Sequence, residues 1–193
     1  MARIAFPAFE ELTPEQRRVH DEVVRTRGKL HGPLRAALHN PELADKWQQL
    51  GELLRYRTSL SPRLSELAIL VTARHFDCQF EWYAHEAPAL AGGLAPAVID
   101  GIRHGRQPHF ANHDEELIYE YSTALQRTHF VDDACYQAVL THFGTLAIVE
   151  LTALLGYYAM VAMTLNAHEI PMPTGTANPL PATMATTLGD NDQ

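Results

Sequence analysis

In the stretch Asp77–Glu86, DCQFEWYAHE, a cysteine, a glutamate, a tryptophan and a histidine stand three and four residues apart, so an α-helix carries Cys78, Glu81, Trp82 and His85 on one stripe. The chemistry of such a stripe is proton transfer. Glu81 and His85, at i and i+4, are spaced for the carboxylate to accept a hydrogen bond from the imidazole and fix its tautomer, which orients a general acid or base. Cys78 falls in the first turn, where the positive end of the helix dipole favours a thiolate and neighbouring Asp77 opposes it. On the preceding segment Glu66 shares a face with Ile69, Leu70 and Ala73; burial there raises its pKa and lets it hold a proton near neutral pH. Two consecutive helices thus aim Glu66, Glu81 and His85 at one pocket, with Cys78 and Trp82 along its wall.

Plainer readings of the same residues stay open at this stage. Glu66 can pair with Arg63, Glu81 and His85 can form a solvated i,i+4 pair, Cys78 can be a small buried apolar group, and Trp82 can be core. Glu150, inside an apolar run, suits an interface ion pair or a hydrogen-bonded core position. His109 and His113 have HxxxH spacing, but the Pro-containing loop GRQPHFANH supplies no helix to align them, so no metal site is expected there. His104, His142 and His168 have no diagnostic partner.

The bulk properties bound what these residues can belong to. With 193 residues, 46% hydrophobic and 20% charged, the chain has enough apolar material for a core without disulfides or metals. A net charge of -8 and the absence of a basic run argue against a nucleic-acid partner. The two cysteines, Cys78 and Cys135, form no CxxC pair, which suits a reducing cytoplasm, and the N-terminal MARIAFPAFEELTPEQRR lacks a secretory pattern. The segment 146–165, LAIVELTALLGYYAMVAMTL, is as long and apolar as a membrane span, for which roughly 20 residues suffice. Glu150 within it, the lack of basic flanks and the lack of a second such segment argue instead for enclosure by protein, part of it from other subunits, so a homo-oligomer and no membrane are expected.

The elements that must position the stripe follow from cap and breaker residues. Thr13, Pro14 and Gln16 open a helix ending before Gly28; a short turn spans Pro33 to Leu38; Asn40 and Pro41 open a helix to about Tyr56 with Leu43, Trp47, Leu50 and Leu54 as its core face. Ser61 and Pro62 start a helix buried on most sides, and the next covers about Cys78 to Leu90, ended by Gly92 and Gly93. Further helices are expected over Pro96 to His104, from Asn112 or Asp114 to Thr128, and from Asp132 to Phe143, with Gly144 before the long apolar helix. No sustained alternation marks a strand, so the fold class is all-α. The segment 171–193, rich in Pro and Thr, reads as an irregular tail behind one domain over 1–170.

On these residues the sequence resembles the carboxymuconolactone decarboxylase and AhpD-like superfamily, with SELAILVTARHFDCQFEWYAHEAPALAGGL at the centre and supporting similarity in 27–63 and 149–171. The AhpD pattern is a glutamate, then CxxC, then a histidine four residues after the second cysteine. Glu66, Cys78 and His85 match it, and Glu81 stands where the second cysteine would be, so no disulfide can close within the motif. The resemblance implies an all-helical AhpD-like bundle assembled as a trimer or hexamer, with pockets near subunit contacts and no cofactor or metal. It also implies a decarboxylase-like lyase acting on small carboxylated lactones rather than a dithiol peroxidase. The expectation is therefore a cofactor-free acid/base enzyme, a decarboxylase or isomerase, with His85 oriented by Glu81 and Glu66 as a protonated partner. A peroxidase using Cys78 alone and a small-ligand-binding protein are the alternatives.

Overall fold

Helix-opening chemistry in the sequence is realised atom by atom in the computed structural model of the chain, which describes residues 2–30 and 32–182. Among the described residues all regular structure is helical. After a 3-10 turn at Phe9–Glu11 come α1 (Pro14–Arg27), α2 (Pro33–Ala37), α3 (Pro41–Tyr56), α4 (Pro62–His75), α5 (Gln79–Ala91), α6 (Pro96–Arg103), α7 (His113–Thr128) and α8 (Asp133–Ala167). The Gln16 backbone N–H donates to Thr13 Oγ1 while Gln16 Oε1 accepts from the Thr13 N–H, closing a capping box at the start of α1. The side chains of Asn40 and Asp132 accept from the N–H groups of Leu43 and Cys135 in the same way.

α4 is the axis of the bundle. Its residues from Leu64 to Ala73 are all buried, and α5, α6, α7 and α8 pack around it. Arg63, at its N-terminal end, is the clamp to α7: it donates to both carboxylate oxygens of Asp114, at 3.3 and 2.6 Å, and to Glu115. Glu115 is buried and also accepts from Asn112, so Arg63 is spent here and not on Glu66. Glu150 accepts from the N–H and hydroxyl of Ser59, tying α8 to the turn before α4.

α8 is broken where the sequence places Gly144, whose φ of 81° and ψ of 173° belong to glycine alone in practice. Beyond the break the helix is long and apolar enough to cross a membrane by length and composition, and half of its most apolar window is buried inside the protein. The other half faces outward: Leu146, Val149 and Met163 are 64%, 61% and 56% exposed.

Two expected core positions on α3 are corrected. Leu43 and Leu50 are 47% and 44% exposed, whereas Ala44, Trp47, Gln48, Gly51 and Leu54 form the buried stripe. Gly51 is required there, because a Cβ at this position would stand 2.1 Å from the Tyr157 hydroxyl. The chain after α8 runs irregularly to 182, held by the Gln79 side chain, which accepts from the Leu180 N–H at 2.8 Å and donates to its carbonyl at 3.1 Å. The rest of the expected tail, 183–193, lies outside the described residues.

Candidate active site

α5 lies along α4, and its buried face brings Glu81, Trp82, His85 and Ala89 inward. His85 meets α4 there. Its Nδ1 is 2.6 Å from Glu66 Oε2, with both side chains 7% exposed. Read as a carboxylate, in place of the protonated partner expected from the sequence, Glu66 only accepts, which puts the proton on Nδ1 and leaves the basic lone pair on Nε2. The second Glu66 oxygen is 3.7 Å from Arg55 Nη2, and the Tyr158 ring stands edge-on to the imidazole with centroids 5.0 Å apart.

This corrects the expected pairing: Glu66, not Glu81, orients His85. Glu66 approaches the imidazole head-on from the facing helix, whereas Glu81, on the same helix as His85, runs into the cavity beside it. Neither Glu81 oxygen has a hydrogen-bond partner among the described residues. Burial alone pushes its carboxyl well above the usual carboxylate range, which favours the protonated acid. Burial also lowers the His85 pKa, and the Glu66 hydrogen bond and charge offset this only in part. Burial thus shifts the two groups in opposite senses, His85 toward the neutral imidazole and Glu81 toward the protonated carboxyl, the pairing that a base and an acid need.

His85 and Glu81 line a cavity of about 470 Å³. Its apolar walls include Phe80, Tyr157, Tyr158, Val161 and Leu165, and Arg27, Lys29 and Arg55 add three cations. Arg27 donates to the Gln48 carbonyl, and its Nε is buried without a partner. Arg55 makes the long approach to Glu66 and sits over the Tyr56 ring, 5.3 Å from its centroid. Burial disfavours charge on Glu81, the acidic side chain among the lining residues, so the three cations give the cavity an electropositive lining in a chain of net charge -8.

Two expected wall residues lie elsewhere. Trp82 is fully buried outside the cavity; its Nε1 donates to Glu86 at 2.9 Å and the Arg103 guanidinium sits over its ring. It is core because its place on the stripe faces the interior rather than the cavity. Cys78 precedes the first turn of α5 as its N-cap and opens onto a separate depression, divided from the cavity by Phe80 and Leu165, which line both. Burial first, then the nearby Glu81, pushes the Cys78 thiol up to about 12. Any gain from the helix dipole is outweighed.

Arg55, Tyr157 and Tyr158 escaped the sequence reading. Arg55 looks like a solvated residue in the last turn of α3; the paired hydroxyls of Tyr157 and Tyr158 inside an apolar run were the available signal. Among the described residues, the hydrogen bonds of His113 and His104 are local. His113 contacts Glu116 and the His142 ring, His104 accepts or donates locally to Asp100, and no cluster of three metal-ligating side chains is present among the described residues.

No family model and no curated protein matches the sequence. Among solved structures, the chain is similar to an uncharacterized peroxidase-related protein from Silicibacter sp. TM1040, with 17% identity and a TM-score of 0.71 over 90% of this chain and 92% of that one. It is also similar to an uncharacterized peroxidase-related protein from Ralstonia eutropha JMP134, described as an alkylhydroperoxidase AhpD core, with 16% identity and a TM-score of 0.72 over 90% and 93%. The chain thus has an AhpD-like all-helical fold.

Proposed function

We infer that this chain is a cofactor-independent acid/base enzyme acting on a small organic anion, a decarboxylase or isomerase of the kind found in the carboxymuconolactone decarboxylase branch of the AhpD-like superfamily. The observation that supports it is an imidazole held by Glu66 and a buried carboxyl without a hydrogen-bond partner among the described residues, both lining one cavity that also carries three cations. Arg55, Arg27 and Lys29 hold the substrate carboxylate. His85 Nε2 takes a proton from carbon beside a carbonyl as Glu81 donates its proton to the developing enolate oxygen; His85 then returns its proton at another carbon while the Glu81 carboxylate takes back the enol proton and the carbonyl re-forms, completing an isomerisation. In a decarboxylation the C–C bond electrons pass into the same enolate as carbon dioxide leaves, and the acid protonates the carbon. Glu66 is a positioning residue for His85.

The peroxidase-related names of the two structural neighbours favour a second reading, a peroxidase in which Cys78 is oxidised to the sulfenic acid and reduced by an external thiol. The high pKa of the Cys78 thiol and its separation from His85 weigh against it. A screen of small carboxylates and lactones decides between them. Cys78→Ser is expected to retain turnover and Glu81→Gln to lose about 10²-fold or more. Loss of activity in Cys78→Ser, with selective sulfenic acid at Cys78 after dilute peroxide, would establish the peroxidase instead.

The enzyme is proposed to work as a homo-oligomer, a trimer or hexamer. The outward stripe of α8 supports this, since Leu146, Val149 and Met163 flank the small residues Ala153 and Gly156 on a face that nothing covers among the described residues. Val149→Glu should reduce the mass seen by sedimentation velocity to that of the monomer; an unchanged mass would remove α8 from the contact.

A further inference from the structure

A second cavity, of about 250 Å³, opens between the end of α4, the loop after α6 and α7. His75, which lines it, lies on the side of α4 opposite Glu66, nine residues and close to half a turn away around the helix. Arg74, Arg106 and Arg127 line it, above a floor that includes Val71 and Ile102. Arg74 uses Nη1 on Asp77 and on the Pro181 carbonyl, and Arg106 uses Nη2 on Asp100, which leaves the other guanidinium N–H groups of both arginines uncommitted. The Arg127 side chain has no ion-pair or hydrogen-bond partner among the described residues. Three guanidinium charges against the carboxylates of Asp77 and Asp100 leave a surplus of one positive charge at the cleft.

A separate observation points the same way. Thr123 lines the cleft, and its buried hydroxyl has no hydrogen-bond partner among the described residues, although a helical threonine ordinarily satisfies itself on the carbonyl four residues back, as Thr72, Thr128, Thr152 and Thr164 do in this chain. His75, on the same wall, is held below its usual pKa by burial first and then by the charges of His129 and Arg127, against the opposing pull of Asp77.

We propose that this cleft binds a phosphate-type oxyanion, free or as the head of a small phosphomonoester, on the forked donors of Arg127, Arg106 and Arg74 and on the Thr123 hydroxyl. Guanidinium forks match the paired oxygens of phosphate, and the apolar floor accepts an organic group carried by an ester. Because the first cavity is also electropositive, the test must separate the two. Inorganic phosphate and phenyl phosphate are titrated calorimetrically against the full chain, with chloride holding ionic strength constant. Phosphate is expected to bind, at least tenfold more weakly in Arg127→Gln and in Arg106→Gln, and with unchanged affinity in Arg55→Gln. Both cleft arginines are exposed, so these variants fold, and circular dichroism verifies it. Tighter binding of phenyl phosphate would identify an ester as the ligand, and equal binding free phosphate. Heats no larger than those of chloride, equal binding by Arg127→Gln, or loss in Arg55→Gln alone would overturn the proposal.

Discussion

His85→Ala lowers turnover of a substrate identified by the screen by about 10² to 10⁴-fold, the range that removal of a positioned general base commands. Glu66→Gln produces a comparable loss by a different route. The amide can present its N–H₂ to Nδ1, which stabilises the wrong tautomer and leaves Nε2 protonated and useless as a base. The pH profile separates this from simple damage. In the proposed mechanism turnover needs His85 neutral and Glu81 protonated, so burial moves the acid limb below the ordinary histidine pKa and the alkaline limb well above the ordinary glutamate range. Glu66 raises the His85 pKa against burial, so taking away its charge moves the acid limb to still lower pH. Full turnover in both variants, or an acid limb that does not move in Glu66→Gln, removes these residues from their roles.

The largest expected loss of stability is at Arg63. Arg63→Ala leaves Glu115, whose side chain is 2% exposed, without its cation and costs about 3–5 kcal/mol, measured by urea unfolding with the slope checked for two-state behaviour. Acid sensitivity supplies the control. Burial raises the Asp114 pKa, but the Arg63 hydrogen bond and charge outweigh it and hold the carboxyl below its ordinary value. A depressed carboxylate pKa contributes stability that is complete above the unfolded value and is lost as pH falls through the folded one. The wild-type protein therefore loses this contribution on acidification, and Arg63→Ala, which has already lost it, shows a flatter stability profile over the same acid range. A loss under 1 kcal/mol would mean that water reaches the pair freely.

Helix starts were legible because they depend on one or two residues acting locally. Thr13 with Gln16, Asn40, Asp132 and Gly144 all act where the sequence places them. Cys78 was misplaced by one position, as the N-cap rather than part of the first turn. The α3 core face was misread because apolar residues follow two overlapping stripes, and the buried one passes through Gln48 and Gly51, which hydropathy does not mark. At the candidate site, spacing brought Glu66, Glu81 and His85 together but could not say which acid reaches the imidazole. That depends on how α4 and α5 face each other, a property of packing between helices rather than of periodicity within one. Arg55 was invisible for the same reason, since its burial is created by α8 and α4 from elsewhere in the chain.

Phe80 and Leu165 have a consequence beyond packing. As a shared partition they set the buried thiol and the imidazole beside different hollows, so a reagent that enters the Cys78 depression does not thereby enter the cavity that His85 lines. Each hollow is thereby open to change without disturbing the other.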